Sequence, residues 1–585
     1  MTANRTDHDT DYDTDVLIVG TGPMGSATAL ALASYGIRCT AISRANWFAD
    51  SPRAHVTNIR TMEVLRSLGI EDAVREQSTP WHLMGETKFA TSLAGTEIAR
   101  ISSFGTGDDR YGDYLRASPS SMVDIPQSLL EPILGNAAAQ RGATLEFNTL
   151  YLSSVQDDDG VTATLEHRPT GTVRQVRARY LIGADGARSQ VAADAGIELK
   201  GQLARAGTVY AQFRGDLSAF VAHRPAILTW LINRDAAVGE IGLGLLRAVH
   251  PWDRWIAGWG FDVEQGEPDL SHETARQRIK TYVGDPDFEP EITAVGPWYV
   301  NEAYATQYSR GRIFCGGDAV HRHPPSNGLG SNTSIQDAFN LAWKLAYVIR
   351  GDATPALLES YSAERAPVGK QIVTRANESR RDFAPLKTVL ADLDLLKSES
   401  SAGARARADL GAAVRLKNYE WNALGLEMNL RYDSGAVIGG DGRDEPWDND
   451  PELFEQPTTH PGAMIPHVWL VDERGTRVST LDLVGGGDFT LVTGLSGRAW
   501  AEAVQAIRHT RVRSLVVGDP HAQDLYQSWR AAREIAEDGA LLVRPDGFIA
   551  WRAASMPTDP EGALRAALTA LLGLTPATEA ERVPA

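Results

Sequence analysis

The sequence predicts an α/β fold. Three observations carry that expectation. Short β-branched runs end at glycine at residues 15–19, 179–183 and 312–316, the pattern of buried strands that give way to tight turns. The first of these is followed by an Ala- and Leu-rich segment over 26–35 and a second apolar run over 37–42; a helix between two strands is a parallel crossover unit. Residues 205–300 instead alternate apolar and polar positions, the two-residue period of antiparallel strands.

In chain order, residues 15–19 form a strand, 26–35 a helix and 37–42 a strand. Helices are expected at 60–68 and 129–141, and strands at 145–150, 162–167, 173–178 and 179–183. Within the alternating region the clearest runs are 207–213, 227–232 and 238–247. A strand over 312–316 precedes a mainly helical stretch from 335 to about 426. Residues 434–462, rich in Gly, Asp and Pro, mark a boundary. Beyond it come strands at 468–471, 489–493 and 515–517, a helix at 498–508, and a hairpin over 541–551 turning at Pro545-Asp546-Gly547. Residues 571–585 read as frayed. A chain of 585 residues predicts roughly three to five domains at ~100–200 residues each.

Composition excludes several classes. The net charge is −18, which repels a phosphate polymer, so no nucleic-acid partner is expected. Two cysteines, Cys39 and Cys315, cannot build a disulfide scaffold, a cysteine zinc site or an iron–sulfur cluster, so no metal is expected. The low count fits a reducing cytoplasm. The N-terminus is acidic where a secretory signal is basic. The apolar stretch 16–37 contains Gly20, Gly22, Pro23 and Gly25 and reads as strand, turn and helix, so no membrane partner is expected.

Three glycine-bearing sites point to a ligand. Gly20-Thr-Gly22-Pro-Met-Gly25 follows a strand and opens a helix, the arrangement that lets a backbone approach a pyrophosphate at a helix N-terminus. The acidic residue that grips an adenosine ribose should stand near position 43; Ser43 and Arg44 stand there instead, which disfavours a plain NAD dehydrogenase and leaves Arg44 free to meet a phosphate. The second site is Gly183-Ala-Asp185-Gly186-Ala-Arg188-Ser189. The third runs from Cys315 through Gly317, Asp318, His321, His323, Pro324, Pro325, Gly328 and Gly330 to Ser331 and Asn332; small residues at a helix start suit a planar ligand with carbonyl oxygens.

These sites, in this order, resemble the class A flavoprotein monooxygenases with the para-hydroxybenzoate hydroxylase fold, and most of all their phenol-hydroxylase-like branch. The likeness extends over residues 46–66, over 315–332, and over Leu358-x-Ser360-Tyr361-x-x-Glu364-Arg365-x-Pro367. The resemblance implies an FAD-binding Rossmann-like domain in pieces (15–88, 122–197 and 303–355) and an inserted antiparallel-sheet substrate domain (89–121 and 198–302). It further implies a helical connection (356–455) and a thioredoxin-like domain without Cys-x-x-Cys (456–575), between a disordered leader (1–14) and a tail (576–585). It implies tightly bound, non-covalent FAD, held by Gly20, Gly22 and Gly25 at the pyrophosphate. Arg44, Arg53 and Gln127 lie along the cofactor. Asp185 and Gly186 are shared with a transient NADPH or NADH. Asp318 binds the ribityl chain, Pro325 backs the ring, and Gly330, Ser331 and Asn332 meet the pyrimidine carbonyls.

The implied reaction is ortho-hydroxylation of a phenol to a catechol with NAD(P)H and O₂, through a flavin C4a-hydroperoxide, on a 2-substituted phenol such as 2-hydroxybiphenyl or on a chlorophenol. A homo-oligomer is implied as well. Two other readings stand beside it: the same chemistry on a polyketide or hydroxyphenylpropionate, and a flavin-binding protein without hydroxylase turnover. A phenol reacts best as phenolate, yet its pKa is ~10 by analogy with Tyr, so a base near neutrality is useful. His55, tethered next to Arg53, is the first candidate; a hydrogen-bonding loop histidine is the other reading. His321 and His323 read as structural. Arg247 reads either as a stabiliser of an anionic flavin or as a surface arginine, and Trp230 either lines the substrate pocket or belongs to the core.

Overall fold

The computed structural model describes residues 12–233, 241–440, 445–507 and 511–573. The leader to residue 11, residues 238–240 of one expected strand, Arg508 of one expected helix and the tail 576–585 lie outside the described residues. Strand β1, Thr14–Val19, is buried along its whole length, as its run of Val, Leu and Ile requires in the middle of a parallel sheet. It pairs in parallel with Thr172–Gly183 on one side and with β2, Cys39–Ile42, on the other. Helix α1, Pro23–Ser34, opens with proline, whose missing N–H costs nothing in a first turn, and crosses between β1 and β2.

Parallel pairing continues from β2 to Thr144–Glu146 and from Thr172–Gly183 to Ile313–Cys315. Val19 lies opposite Gly183, and Gly183 opposite Cys315. The register therefore brings all three glycine turns to one edge of the sheet, beyond the carboxyl ends of its strands, where open α/β sheets bind ligands. Two of these glycines are sterically required. Gly20 has φ +109°, and a methyl there would overlap the Ala184 carbonyl; one at Gly25 would overlap the Gly20 carbonyl oxygen.

An eight-stranded sheet packs beside the first, in the order His321–Arg322, Glu291–Ala305, Leu199–Arg214, Arg254–Phe261, Gly244–His250, Leu228–Leu231, Glu86–Ala90 and Glu97–Ser102. It is antiparallel except where Leu228–Leu231 meets Glu86–Ala90. Its edge strand His321–Arg322 belongs to the third glycine site and pairs with Ala303 and Tyr304, so the two sheets share that turn. Val56–Thr57, Val123–Asp124 and Thr79–Pro80 form a separate three-stranded patch.

The tail sheet runs Val512–Val517, Phe489–Gly494, Ala540–Val543, Ile549–Ala553, parallel then antiparallel, with helices Arg498–Ile507 and Pro560–Leu572. Its Phe489 packs edge-on against Trp343 and Tyr347 of the long helix Leu329–Arg350, with centroids 5.8 and 5.7 Å apart. The tail therefore shares one continuous apolar core with the first, mainly parallel sheet.

Several expectations are corrected. The strand expected over 145–150 is two strands, Thr144–Glu146 and Thr149–Gln156, broken where Asn148 takes φ +55°. The strands expected at 173–178 and 179–183 are one, Thr172–Gly183, because its first half pairs with Val161–His167. The leader ends earlier than residue 14, since Thr14 already pairs in the sheet. The helical stretch expected from 335 starts earlier, at Leu329, so that Gly330 and Ser331 form its first turn. Fraying does not begin at 571, because Leu571 and Leu572 are buried in the core. Cys39 and Cys315 are both unbridged and buried, and burial pushes the Cys39 thiol up to about 12, a group unsuited to redox work. Among the described residues no helix is long and apolar enough to cross a membrane.

Candidate active site

The groove above the sheet edge is built from backbone and a few side chains. A methyl at Gly22 would meet only Glu131 Oε1, at 3.7 Å, so the face of this turn is open where a pyrophosphate would lie. Gln127 donates its amide to Glu131 Oε1, and Ala49 N–H donates to the other oxygen at 2.7 Å, which fastens the 44–53 loop beside α1. Arg44 and Arg53 are exposed, and among the described residues neither guanidinium has a hydrogen-bond or ion-pair partner. Ser43 closes β2 locally, its Oγ accepting the Ala45 N–H at 3.3 Å. Asp185 accepts from Ser189 Oγ at 2.5 Å and from the Gln190 N–H at 2.8 Å, so its carboxylate caps the next helix and leaves the Gly186 backbone facing outward.

Asp318 reaches solvent through the groove while protein crowds its other sides. That crowding holds its carboxyl above the ordinary value, against the pull of His321, Arg322 and Arg53. Pro325 is exposed beside it. Gly330 and Ser331 stand in the first turn of Leu329–Arg350, where backbone N–H groups have no intrahelical acceptor. His323 donates Nδ1–H to the Pro324 carbonyl at 2.7 Å, while its Nε2 is buried without a partner; burial lowers its pKa to about 4, so it is a neutral acceptor at that position. Asn332 is buried, and its side chain ties the two halves of the site together. Its Oδ1 accepts the Asn58 N–H at 3.0 Å and its Nδ2 donates to the Val56 carbonyl at 2.8 Å. An open pyrophosphate face, free guanidiniums and free helix-start N–H groups fit a flavin dinucleotide.

His55 immediately precedes the strand Val56–Thr57. It is buried, and neither ring nitrogen has a well-aligned hydrogen-bond partner among the described residues; the Pro52 backbone is the one polar group that pulls its pKa upward, and weakly. Burial, followed by the nearby Arg247 charge, holds its pKa well below the ordinary histidine value, so the ring is neutral. Strand pairing places Asp124 opposite Val56, next to His55. Asp124 grips Arg247 in a two-armed ion pair at 2.6 and 3.2 Å. The surface-arginine reading of Arg247 is thereby overturned: its side chain is 11% exposed and its partner's 1%. Tyr210 stands within reach of the charges of Arg247 and Arg380, its hydroxyl held protonated chiefly by burial. Trp230 lies in the apolar core of the second eight-stranded sheet, 4.4 Å from Phe383 by ring centroids, with its Nε1 unpartnered among the described residues.

Asp124 and Tyr210 escaped the reading of the sequence. A carboxylate within Met122-Val123-Asp124-Ile125-Pro126 was the available signal, because an acid in an apolar run needs a partner. Asp124→Ala leaves Arg247 buried without its counter-ion. Urea unfolding is expected to show a loss of ~3–5 kcal/mol, the cost of breaking a buried pair.

The chain is similar to known flavoproteins over nearly its whole length. The model of an FAD-binding domain family matches residues 13–376, and that of the aromatic-ring hydroxylase C-terminal family matches 458–575. The chain is 46% identical over 578 residues to a 2,4-dichlorophenol 6-monooxygenase of Cupriavidus pinatubonensis, covering 96% of each protein. It is 45% identical to a phenol 2-monooxygenase of a Pseudomonas species, covering 96% of this chain and 94% of that one. Among solved structures, the flavin-dependent monooxygenase PieE in complex with FAD and substrate superposes with a TM-score of 0.90 at 40% identity, covering 95% of this chain and 98% of that one. The ternary complex of aklavinone-11 hydroxylase with FAD and aklavinone gives 0.80 at 29% identity, covering 97% and 100%.

Proposed function

Since the chain belongs to the FAD-dependent aromatic-ring hydroxylases, we propose that it converts a phenol to the catechol by ortho-hydroxylation. A 2-substituted phenol or a chlorophenol is the substrate class. The overall reaction consumes the phenol, O₂, NAD(P)H and a proton, and yields catechol, NAD(P)⁺ and water. Bound FAD supplies the redox chemistry, taking the reducing equivalents from NAD(P)H and activating O₂. NAD(P)H is a transient co-substrate, for which the sequence carries no second dinucleotide fingerprint.

The protein's own part follows from the residues. Gly20, Gly22 and Gly25 would cradle the FAD pyrophosphate, with Arg44, Arg53 and Gln127 beside it. Asp185 and Gly186 would border the cofactor, and Asp318 would meet the ribityl chain. Pro325 would back the ring, and the backbone at Gly330, Ser331 and Asn332 would meet its carbonyl edge. His55 takes the phenol O–H proton on a ring nitrogen. Arg247, fixed by Asp124, favours the phenolate over the phenol, and the phenolate is the form that reacts with electrophilic oxygen. Tyr210 offers an O–H to the substrate oxygen. Trp230 packs against Phe383 in the apolar core and so supports the sheet from behind.

The observation that supports this most directly is a buried, neutral imidazole without a well-aligned hydrogen-bond partner, beside an arginine locked by a carboxylate. The experiment is a phenol panel with the purified yellow protein, followed by product mass under ¹⁸O₂. One labelled oxygen per catechol is expected. NAD(P)H oxidation that gives only hydrogen peroxide across the panel would sink the phenol reading. A polyketide aglycone belongs in the panel, because the structure superposes on aklavinone-11 hydroxylase. Cytoplasmic location and a homo-oligomeric state complete the proposal, the first from the two unbridged thiols and both checkable by fractionation and light scattering.

A further inference from the structure

Behind the flavin-facing turn lies a train of buried charges that runs into the C-terminal tail. Asp337, inside the helix Leu329–Arg350, accepts the Gly317 N–H and a hydrogen bond from His321 Nε2 on one oxygen, both at 3.0 Å, and Arg365 Nε on the other at 2.7 Å. One and two turns further along the same helix face, Asn340 Nδ2 and Lys344 Nζ donate to Glu364 at 2.6 and 2.8 Å. Glu364 is the neighbour of Arg365 on the helix Glu359–Arg381. Its two oxygens also take both terminal nitrogens of Arg544, at 2.6 and 3.0 Å.

Arg544 belongs to the tail hairpin. There it is held by Asp546, at 2.5 and 3.0 Å. Asp546 in turn accepts from Trp343 Nε1 at 3.1 Å, and its carbonyl accepts from Arg60 at 3.1 Å. The side chains of Asp337, Lys344, Glu364, Arg365 and Arg544 are wholly inaccessible. Asp337, Glu364 and Asp546 balance Lys344, Arg365 and Arg544, so removal of Arg544 leaves three carboxylates facing two cations.

Buried ion pairs are a costly way to hold a fold, since apolar side chains of similar volume do as well or better. What they add is direction: each bond fixes one helix relative to the next. The end of this train that meets a ligand is Gly317, next to Asp318. We propose that Arg544 is a positioning residue for the FAD site. From the tail it fixes Glu364, which with Asn340 and Lys344 sets the long helix so that Asp337 holds the Gly317 turn in its cofactor-binding form. The inference rests on the FAD reading of that turn and gives the cysteine-free thioredoxin-like tail a task that packing alone does not require.

The test is FAD affinity, measured by flavin fluorescence on the full-length apo-protein, for Arg544→Met, Asp337→Asn and the double variant. A ligand binds more weakly in proportion to the loss of its competent state, and Arg544→Met is expected to weaken FAD about tenfold or more. If both residues act along one train, the double variant binds FAD within about threefold of Asp337→Asn alone, whereas independent effects multiply. Multiplying effects, or wild-type affinity in Arg544→Met alongside a lowered unfolding midpoint, would overturn the proposal. Arg544→Lys keeps the charge toward Glu364 but cannot span both carboxylates. Its affinity is expected to fall between wild type and Arg544→Met, and should the Met variant fail to fold, an unchanged affinity in the Lys variant overturns the proposal by itself. Wild-type protein that cannot be loaded with FAD would instead overturn the FAD reading.

Discussion

His55→Ala is expected to lower kcat/KM for a phenol by about 10²–10⁴-fold, the usual contribution of a positioned base, and to change the shape of its pH profile. In the wild-type protein the ring is already neutral around pH 6.5, because burial and then Arg247 hold its pKa well below the ordinary value. The acid limb of the rate should therefore fall below the normal histidine range. Without the base, only the phenolate present in solution reacts. Its fraction changes tenfold per pH unit below a phenol pKa of ~10, so the variant's rate should climb steadily with pH and its deficit should be greatest in acid. Parallel profiles for the two proteins would reject the base.

Stability offers an independent reading of the same residue. Below pH ~6.5 the unfolded chain binds a proton at His55 while the folded chain does not, so this histidine makes the fold less stable as pH falls through that value. His55→Ala should accordingly lose less unfolding free energy than wild type between about pH 7 and 5. A loop histidine free to protonate in the folded state would show no such difference. Urea titrations at the two pH values separate the cases.

How much of this was legible in the sequence depends on how far apart the partners lie. The glycine turns could be read directly, because a β-branched run that stops at glycine is a local signal and the parallel register carries three such stops to one edge. His55 could be read through its proximity to Arg53. Its surroundings could not. Asp124 reaches it through a strand pair only two residues long, and Arg247 comes from a different sheet. Asp337 sits within a helix whose periodicity marks it as merely inward-facing; its meaning lies in the Gly317 N–H it meets. The break at Asn148 did have a local signal, since asparagine is among the few side chains that readily take the left-handed conformation.

The second large effect separates a fold requirement from a ligand requirement within one glycine turn. At Gly20, φ +109° and the Ala184 carbonyl leave no room for a side chain, so Gly20→Ala should damage the strand–turn–helix unit with or without cofactor. Gly22 differs. Its backbone is extended at φ −67°, ψ −173°, which any residue adopts, and an added methyl would make only an ordinary contact with Glu131. As protein alone, Gly22→Ala should fold with an unfolding midpoint near that of wild-type apo-protein. A pyrophosphate seated on this turn, however, needs the backbone surface that the methyl would cover. Gly22→Ala is therefore expected to purify folded and colourless, with FAD affinity reduced by roughly 10²-fold or more, since a methyl wedged against a close-packed ligand costs several kcal/mol. Circular dichroism and apo-protein melting establish the fold, and FAD titration establishes the site. A yellow Gly22→Ala protein with wild-type affinity would move the pyrophosphate off this turn, whereas a variant that fails to fold would mean that Glu131 and the 44–53 loop press on the turn more tightly than a 3.7 Å approach implies.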